Sequence, residues 1–182
     1  MTTFPTASVD GALRIHRVRA EDWLSHRDLR LDMLDADPDA FWADPREARG
    51  RTEAQWRDEI TGPRIHFQAR RGPAVLGGIA LLPQGYTPAH VIPEDRAHIV
   101  SLWVRPEARG TGVSGPLFTA LARHALALGR PDLRLDVDET NTAAQRLYER
   151  LGFTATGARD PRESRGTSWV EYALRAERLL ER

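Results

Sequence analysis

Leu102-Trp103-Val104-Arg105-Pro106-Glu107-Ala108-Arg109-Gly110-Thr111-Gly112-Val113-Ser114-Gly115 is the stretch on which this fold turns. An apolar strand, Ala97–Val104, runs into a glycine-rich turn, Arg109–Gly115. A helix follows from about Pro116 to Leu128, with Leu117, Leu121, Ala125 and Leu128 on one face and Gly129 as its stop. Small residues at 110, 112, 114 and 115 let the backbone approach a ligand closely. The first N–H groups of a helix lack intrahelical partners, and the macrodipole adds partial positive charge there. Strand, turn and helix therefore make an anion cradle suited to a pyrophosphate, with Arg109 adding a cation at its entrance. Taken alone, the same pattern also serves a tight strand-to-helix turn without a ligand.

Working outward, residues 1–10 are small and polar and are expected to be disordered. Ala12–Arg19 alternates as a first strand, and Glu21–Asp35 repeats Trp23, Leu24, Leu31 and Leu34 at helical spacing. Asp35–Arg51 reads as an acidic loop with Phe41 and Trp42 in its middle. Thr52 caps a short helix that ends near Ile60. Ile65–Arg70 and Ala74–Leu82 are two strands joined by Arg71-Gly72-Pro73. A loop at 83–95 follows. After the long helix come a strand at Leu133–Val137 and a helix at Asn141–Leu151. A closing hairpin, Phe153–Gly157 with Ser168–Leu174, is joined by a charged loop at Ala158–Thr167. The pattern predicts a mixed α/β domain over 11–176, built on one sheet, with a tail at 177–182.

Composition removes whole chemistries. The chain has 182 residues, with 26 basic and 26 acidic side chains. Every basic residue is arginine, so no lysine is available for a Schiff base or a Walker-type phosphate loop. There is no cysteine, hence no thiol nucleophile, disulfide or cysteine metal site. A net charge of 0 argues against nucleic acid as a partner. No apolar run is long enough to span a bilayer, and the first twelve residues lack signal-peptide features, so no membrane partner and a cytoplasmic location are expected.

A second motif lies downstream: Asn141-Thr142-Ala143-Ala144-Gln145-Arg146-Leu147-Tyr148-Glu149-Arg150-Leu151-Gly152-Phe153. Asn141 stands where a helix N-cap belongs, and Ala144, Leu147 and Leu151 form a core stripe. The two motifs together resemble the GCN5-related N-acetyltransferase (GNAT) superfamily over roughly Ala97–Phe153. Arg109, Gly112 and Ser114 hold the places of its cofactor motif, Ser114 standing where Gly or Ala is usual. The resemblance implies a central, mostly antiparallel sheet splayed between its fourth and fifth strands and flanked by helices. It also implies an acetyl-CoA-dependent N-acetyltransferase of bacterial type.

Acetyl-CoA is then the expected co-substrate. By resemblance, the backbone of Gly110, Thr111, Gly112, Val113, Ser114 and Gly115 holds its pyrophosphate. Its pantetheine pairs with Leu102 and Val104 as an added strand does. A backbone N–H near Trp103 or Val104 polarises the thioester carbonyl. Asn141 bonds the pantetheine or the helix start. Tyr148 protonates the departing thiolate, its ordinary pKa of ~10 lying close to that of an alkyl thiol. Without cysteine, direct attack by a primary amine of a small molecule or peptide, in a ternary complex, is the simplest route. His98, early in the central strand, is the candidate base, although a lone strand histidine also serves structure.

Acceptor selection falls to the loops at 35–51, 83–95 and 158–167. Asp35, Asp37, Asp39 and Asp44 around Phe41 and Trp42 could receive a cationic amine, or could form a solvated loop over a tucked aromatic pair. Arg159, Arg162 and Arg165 read as solvated. His16, His26, His66, His90 and His124 show no metal-ligand spacing, so no metal is expected. Many relatives dimerise through the C-terminal strands, which leaves a homodimer open. Two rivals remain: a non-catalytic acyl-CoA-binding or regulatory domain, which has no need of Tyr148, and a nucleotide-binding module, which this late turn without a lysine suits poorly.

Overall fold

The computed structural model describes residues 11–41 and 43–181, the side chain of Asp39 excepted. The segment 1–10 and Trp42 lie outside the described residues. In chain order the elements are β1 (Leu13–Arg17), α1 (Trp23–Ala36), α2 (Pro45–Arg49), α3 (Glu53–Thr61), β2 (Ile65–Arg71), β3 (Ala74–Leu82), β4 (Arg96–Val104), α4 (Ser114–Ala127), β5 (Asp132–Asp138), α5 (Thr142–Arg150), β6 (Thr154–Arg162) and β7 (Thr167–Arg175). The sheet runs β1-β2-β3-β4-β5-β7-β6. All neighbours are antiparallel except β4 and β5.

That parallel pair is short. Only Arg96, Ala97 and His98 pair, with Asp132, Leu133 and Arg134. Beyond His98 the two strands part, so Ile99–Val104 and Leu135–Asp138 wall an open V. β4 also carries a bulge. Gly78 opposes Trp103 while Ala80 opposes Val100, which leaves one extra residue on β4. Ser101 takes a φ of 57°, the one non-glycine residue with positive φ among those described. The bulge shifts the phase of the strand. Ala97 and Ile99 face the main core before it, and Leu102 and Val104 face that core after it. Trp103 is thereby turned to the opposite face, against Leu29, Met33 and Leu34 of α1.

The main core lies between the sheet and α4, with Leu117, Phe118, Leu121, Leu133 and Leu135 almost fully buried. α5 joins this side through Tyr148, whose ring lies 6.2 Å from that of Phe118. α1 and α3 cover the other face at β2 and β3. Thr52 and Gln55 cap α3 reciprocally.

The sequence reading is corrected in two places. The acidic loop at 35–51 contains α2, whose N-cap Asp44 accepts from the Arg46 N–H at 2.7 Å. The charged loop at 158–167 is mostly strand, since β6 runs on to Arg162. Its residues up to Pro161 are exposed, so no apolar alternation marks it. At the C-terminal end a 3-10 turn at Ala176–Leu179 buries Leu179 in the main core. No helix among the described residues is long and apolar enough to cross a membrane.

Candidate active site at the parting of two strands

The glycine-rich turn opens at the mouth of the V. Gly110 and Gly112 have φ of 76° and 84°, a conformation that disfavours any side chain. A Cβ placed on either would meet nothing within 4 Å, so the turn faces open space. α4 begins at Ser114 with no side-chain cap, and its N-terminal amides keep their capacity for an outside acceptor. These residues fit a pyrophosphate. Arg109 is a less free cation than its motif suggests. Its Nε donates to Val104 O at 3.0 Å, and its Nη2 is 2.6 Å from Asp37 Oδ2, which also accepts from Trp103 Nε1 at 2.7 Å.

The Arg105 N–H donates to Leu76 O at 2.8 Å. Antiparallel pairing alternates bonded and unbonded residues, so Trp103 points its backbone groups at Gly78. The N–H and C=O of Leu102 and Val104 then face the V. Of the two candidate oxyanion donors, Trp103 is directed into the sheet, and the Val104 N–H faces the gap.

Tyr148 is buried between Phe118, Phe153 and Tyr172, with ring centroids 6.2, 6.0 and 6.3 Å away. Burial pushes its phenol above the usual tyrosine range, so it stays protonated at any physiological pH. The close match to a thiol read from the sequence therefore becomes a weaker acid that is always charged with its proton. Asn141 uses Oδ1 to cap α5, accepting from the Ala144 N–H at 3.1 Å.

On the face opposite Tyr148, His98 lies where β4 and β5 are still joined. Partial burial lowers its pKa, against the pull of the nearby Glu171 carboxylate, so it is neutral at pH 7. The His90 ring is 6.4 Å away. One strand over stands Asp136, paired in register with Glu171. Its carboxyl is exposed yet crowded; lost hydration, then the carboxylates of Glu171 and Asp160, hold it up to about 6. Sequence reading missed it, because a lone Asp in a polar strand gives no signal until β7 lies beside it.

Three acids of the 35–51 stretch are already engaged, while the Asp39 side chain lies outside the described residues. Asp35 pairs with Arg49, Asp37 serves Arg109 and Trp103, and Asp44 caps α2. Arg162 is not solvated: it is 2.8 Å from Asp138 Oδ2 and stacks 4.5 Å over the Trp169 ring. Asp138 also accepts from the N–H and hydroxyl of Thr140 and from the Thr167 hydroxyl. Despite partial burial, these donors hold its carboxyl well below the usual range. The hub ties β5, β6 and β7 to the loop that leads into α5.

The histidines, scattered in sequence, are not all scattered in space. His26, Glu59 and His66 converge, with ligand-capable atoms within 4.8 Å of one another. The guanidiniums of Arg30, Arg51 and Arg64 already surround that carboxylate, and their charge opposes a further cation.

A family model described as the acetyltransferase (GNAT) family matches residues 22–153. The chain belongs to that family. The mycothiol acetyltransferase of Thermobispora bispora is 53% identical over 51 residues, 28% of this chain and 17% of that protein. The mycothiol acetyltransferase of Streptomyces scabiei is 38% identical over 91 residues, 50% of this chain and 27% of that protein. The matched stretch is thus under a third of either relative's length. The yncA protein of Salmonella typhimurium, solved with its cofactor acetyl-CoA, superposes with a TM-score of 0.68 at 16% identity, covering 91% of this chain and 94% of that one. This likeness supports the splayed, mostly antiparallel sheet flanked by helices.

Proposed function

We propose that this chain transfers an acetyl group from acetyl-CoA to a primary amine of a small molecule or peptide, by direct attack in a ternary complex. The observation that carries this reading is the parting of β4 from β5 after three paired residues, with an uncapped helix at the mouth. Acetyl-CoA supplies an activated acyl thioester. The amides of Gly110–Gly115 hold its pyrophosphate. Leu102 and Val104 offer strand-like bonds to its pantetheine, and the Val104 N–H is the donor for the carbonyl oxygen. Asn141 orders the start of α5. Tyr148 keeps its proton until a thiolate needs it.

An amine arrives protonated and must lose a proton before it attacks. His98, neutral at pH 7, takes that proton. Asp136 is the second candidate, because a carboxyl near 6 is mostly ionised at pH 7 and basic enough to act. The test is incubation with acetyl-CoA and a broad panel of amines, following free thiol. Turnover with at least one amine is the expected result. CoA-dependent thermal stabilisation without turnover on any amine would instead mark a non-catalytic binder.

A further inference from the structure

α1 turns Arg30 toward the sheet, where it is 8% exposed. Its Nη1 donates to Ser101 Oγ at 3.3 Å. Its Nε is shut away from water without a hydrogen-bond partner. The nearest carboxylate oxygen, Glu59 Oε1, is 3.6 Å off and is shared. His26 Nε2 and Arg64 Nη2 each approach it at 3.3 Å, and Oε2 is bonded by Arg51. Burial lowers the pKa of both His26 and His66, so neither adds charge at pH 7. Arg51 has a second partner in Glu47. Arg30 and Arg64 therefore bring two positive charges to one carboxylate, and a buried cation left short of a partner is costly.

Beside Arg30 is a cavity of about 20 Å³, lined in part by His66, Gln68, Ser101 and Trp103. Gln68 Oε1 accepts from Arg70 and Ser25, which turns its amide nitrogen the other way. That nitrogen is buried with no acceptor, as is His66 Nε2 with no partner. Arg30 Nε and the Gln68 amide are thus donors in want of an acceptor, His66 Nε2 is unpaired, and the space suits about one oxygen atom. Ser101 is the bulge residue of β4, just past the point where β4 leaves β5.

We infer that Arg30, at the bulge of β4, receives a carboxylate carried by the acceptor near the amine that is acetylated. The inference rests on the acetyl-transfer reading, because it names the class of acceptor for that site. A carboxylate oxygen supplies the missing acceptor and the missing charge together, which water does only in part.

The test uses matched acceptors: the common α-amino acids and their C-terminal amides, assayed for free thiol with acetyl-CoA. The acids should exceed their amides in kcat/KM by at least about tenfold, and Arg30→Met should erase the difference while CoA still binds. Ser101→Ala keeps the charge and should narrow the difference without loss of fold. A binding readout runs alongside: calorimetry of N-acetyl amino acids against their amides on the CoA-loaded protein. Amides that serve as well as acids would overturn the inference, as would an acid preference that survives in folded Arg30→Met. Should no acceptor turn over while the N-acetyl acids bind through Arg30, the acetyl-transfer reading falls and the carboxylate site stands.

Discussion

Gly112→Ala, set against Gly129→Ala, separates backbone strain from ligand binding. Both glycines have positive φ, 84° and 70°, and a Cβ on either meets nothing within 4 Å. Each substitution therefore costs only the left-handed conformation, about 1–2 kcal/mol. For a chain of this size that lowers Tm by roughly 2–8 °C. The two sites bracket α4: Gly129 follows its C-terminus, and Gly112 precedes its N-terminus. Only at Gly112 does the new methyl enter the space in front of the turn amides. Displacing even one amide bond to a charged phosphate costs about 1.5–3 kcal/mol. The Kd for CoA should then rise about 10- to 100-fold in Gly112→Ala and stay unchanged in Gly129→Ala. Thermal unfolding without ligand measures the first quantity and calorimetric CoA titration the second. Equal CoA affinities in two equally destabilised variants would refute the placement of the pyrophosphate in this turn.

Tyr148→Phe should lower kcat by about a hundredfold with CoA affinity intact, since only the proton is removed; full turnover with an accepted amine would end its role as the acid. His98→Gln should flatten the acid limb of the kcat/KM profile, and Asp136→Asn should only shift it; the reverse pattern would make Asp136 the base. Asp138→Asn removes one partner of a buried ion pair and should cost about 3 kcal/mol in denaturant titration at pH 7. Because that carboxyl is held below its ordinary value, its stabilisation is present above an aspartate's usual pKa and lost as pH falls through the folded one. The gap between wild type and variant should shrink below about pH 4, and a gap constant down to pH 3 would sink the argument.

Features set by near neighbours were legible. Thr52 with Gln55, the turn glycines and the stop at Gly129 are local events, and local chemistry decides them. The bulge left a trace as well: the apolar positions Ala97 and Ile99 fall out of step with Leu102 and Val104. What stayed hidden depends on partners far along the chain. Arg162 looks solvated until Asp138, 24 residues away, is brought beside it. Asp37 looks like part of an acidic loop until Arg109, 72 residues on, claims it. Charged side chains carry no periodicity that announces a partner. Their roles appear only when the sheet order is fixed, and that order was read here from a resemblance, not from pairing rules.

The bulge at Ser101 then explains more than the opening of a gap. A regular β4 would keep one phase along its length and send Trp103 into the main core beside α4. With one residue inserted, Leu102 and Val104 retain the core face, and Trp103 crosses to α1. There its indole reaches Asp37, which in turn holds Arg109 at the turn. The same displacement presents the Ser101 hydroxyl to Arg30. One backbone irregularity thus links α1 to the glycine-rich turn. Ser101→Pro, which fixes φ near −65°, is incompatible with the observed φ of 57° and should disturb both ends together. Ser101→Gly tolerates that angle and should preserve CoA binding while it loosens only Arg30.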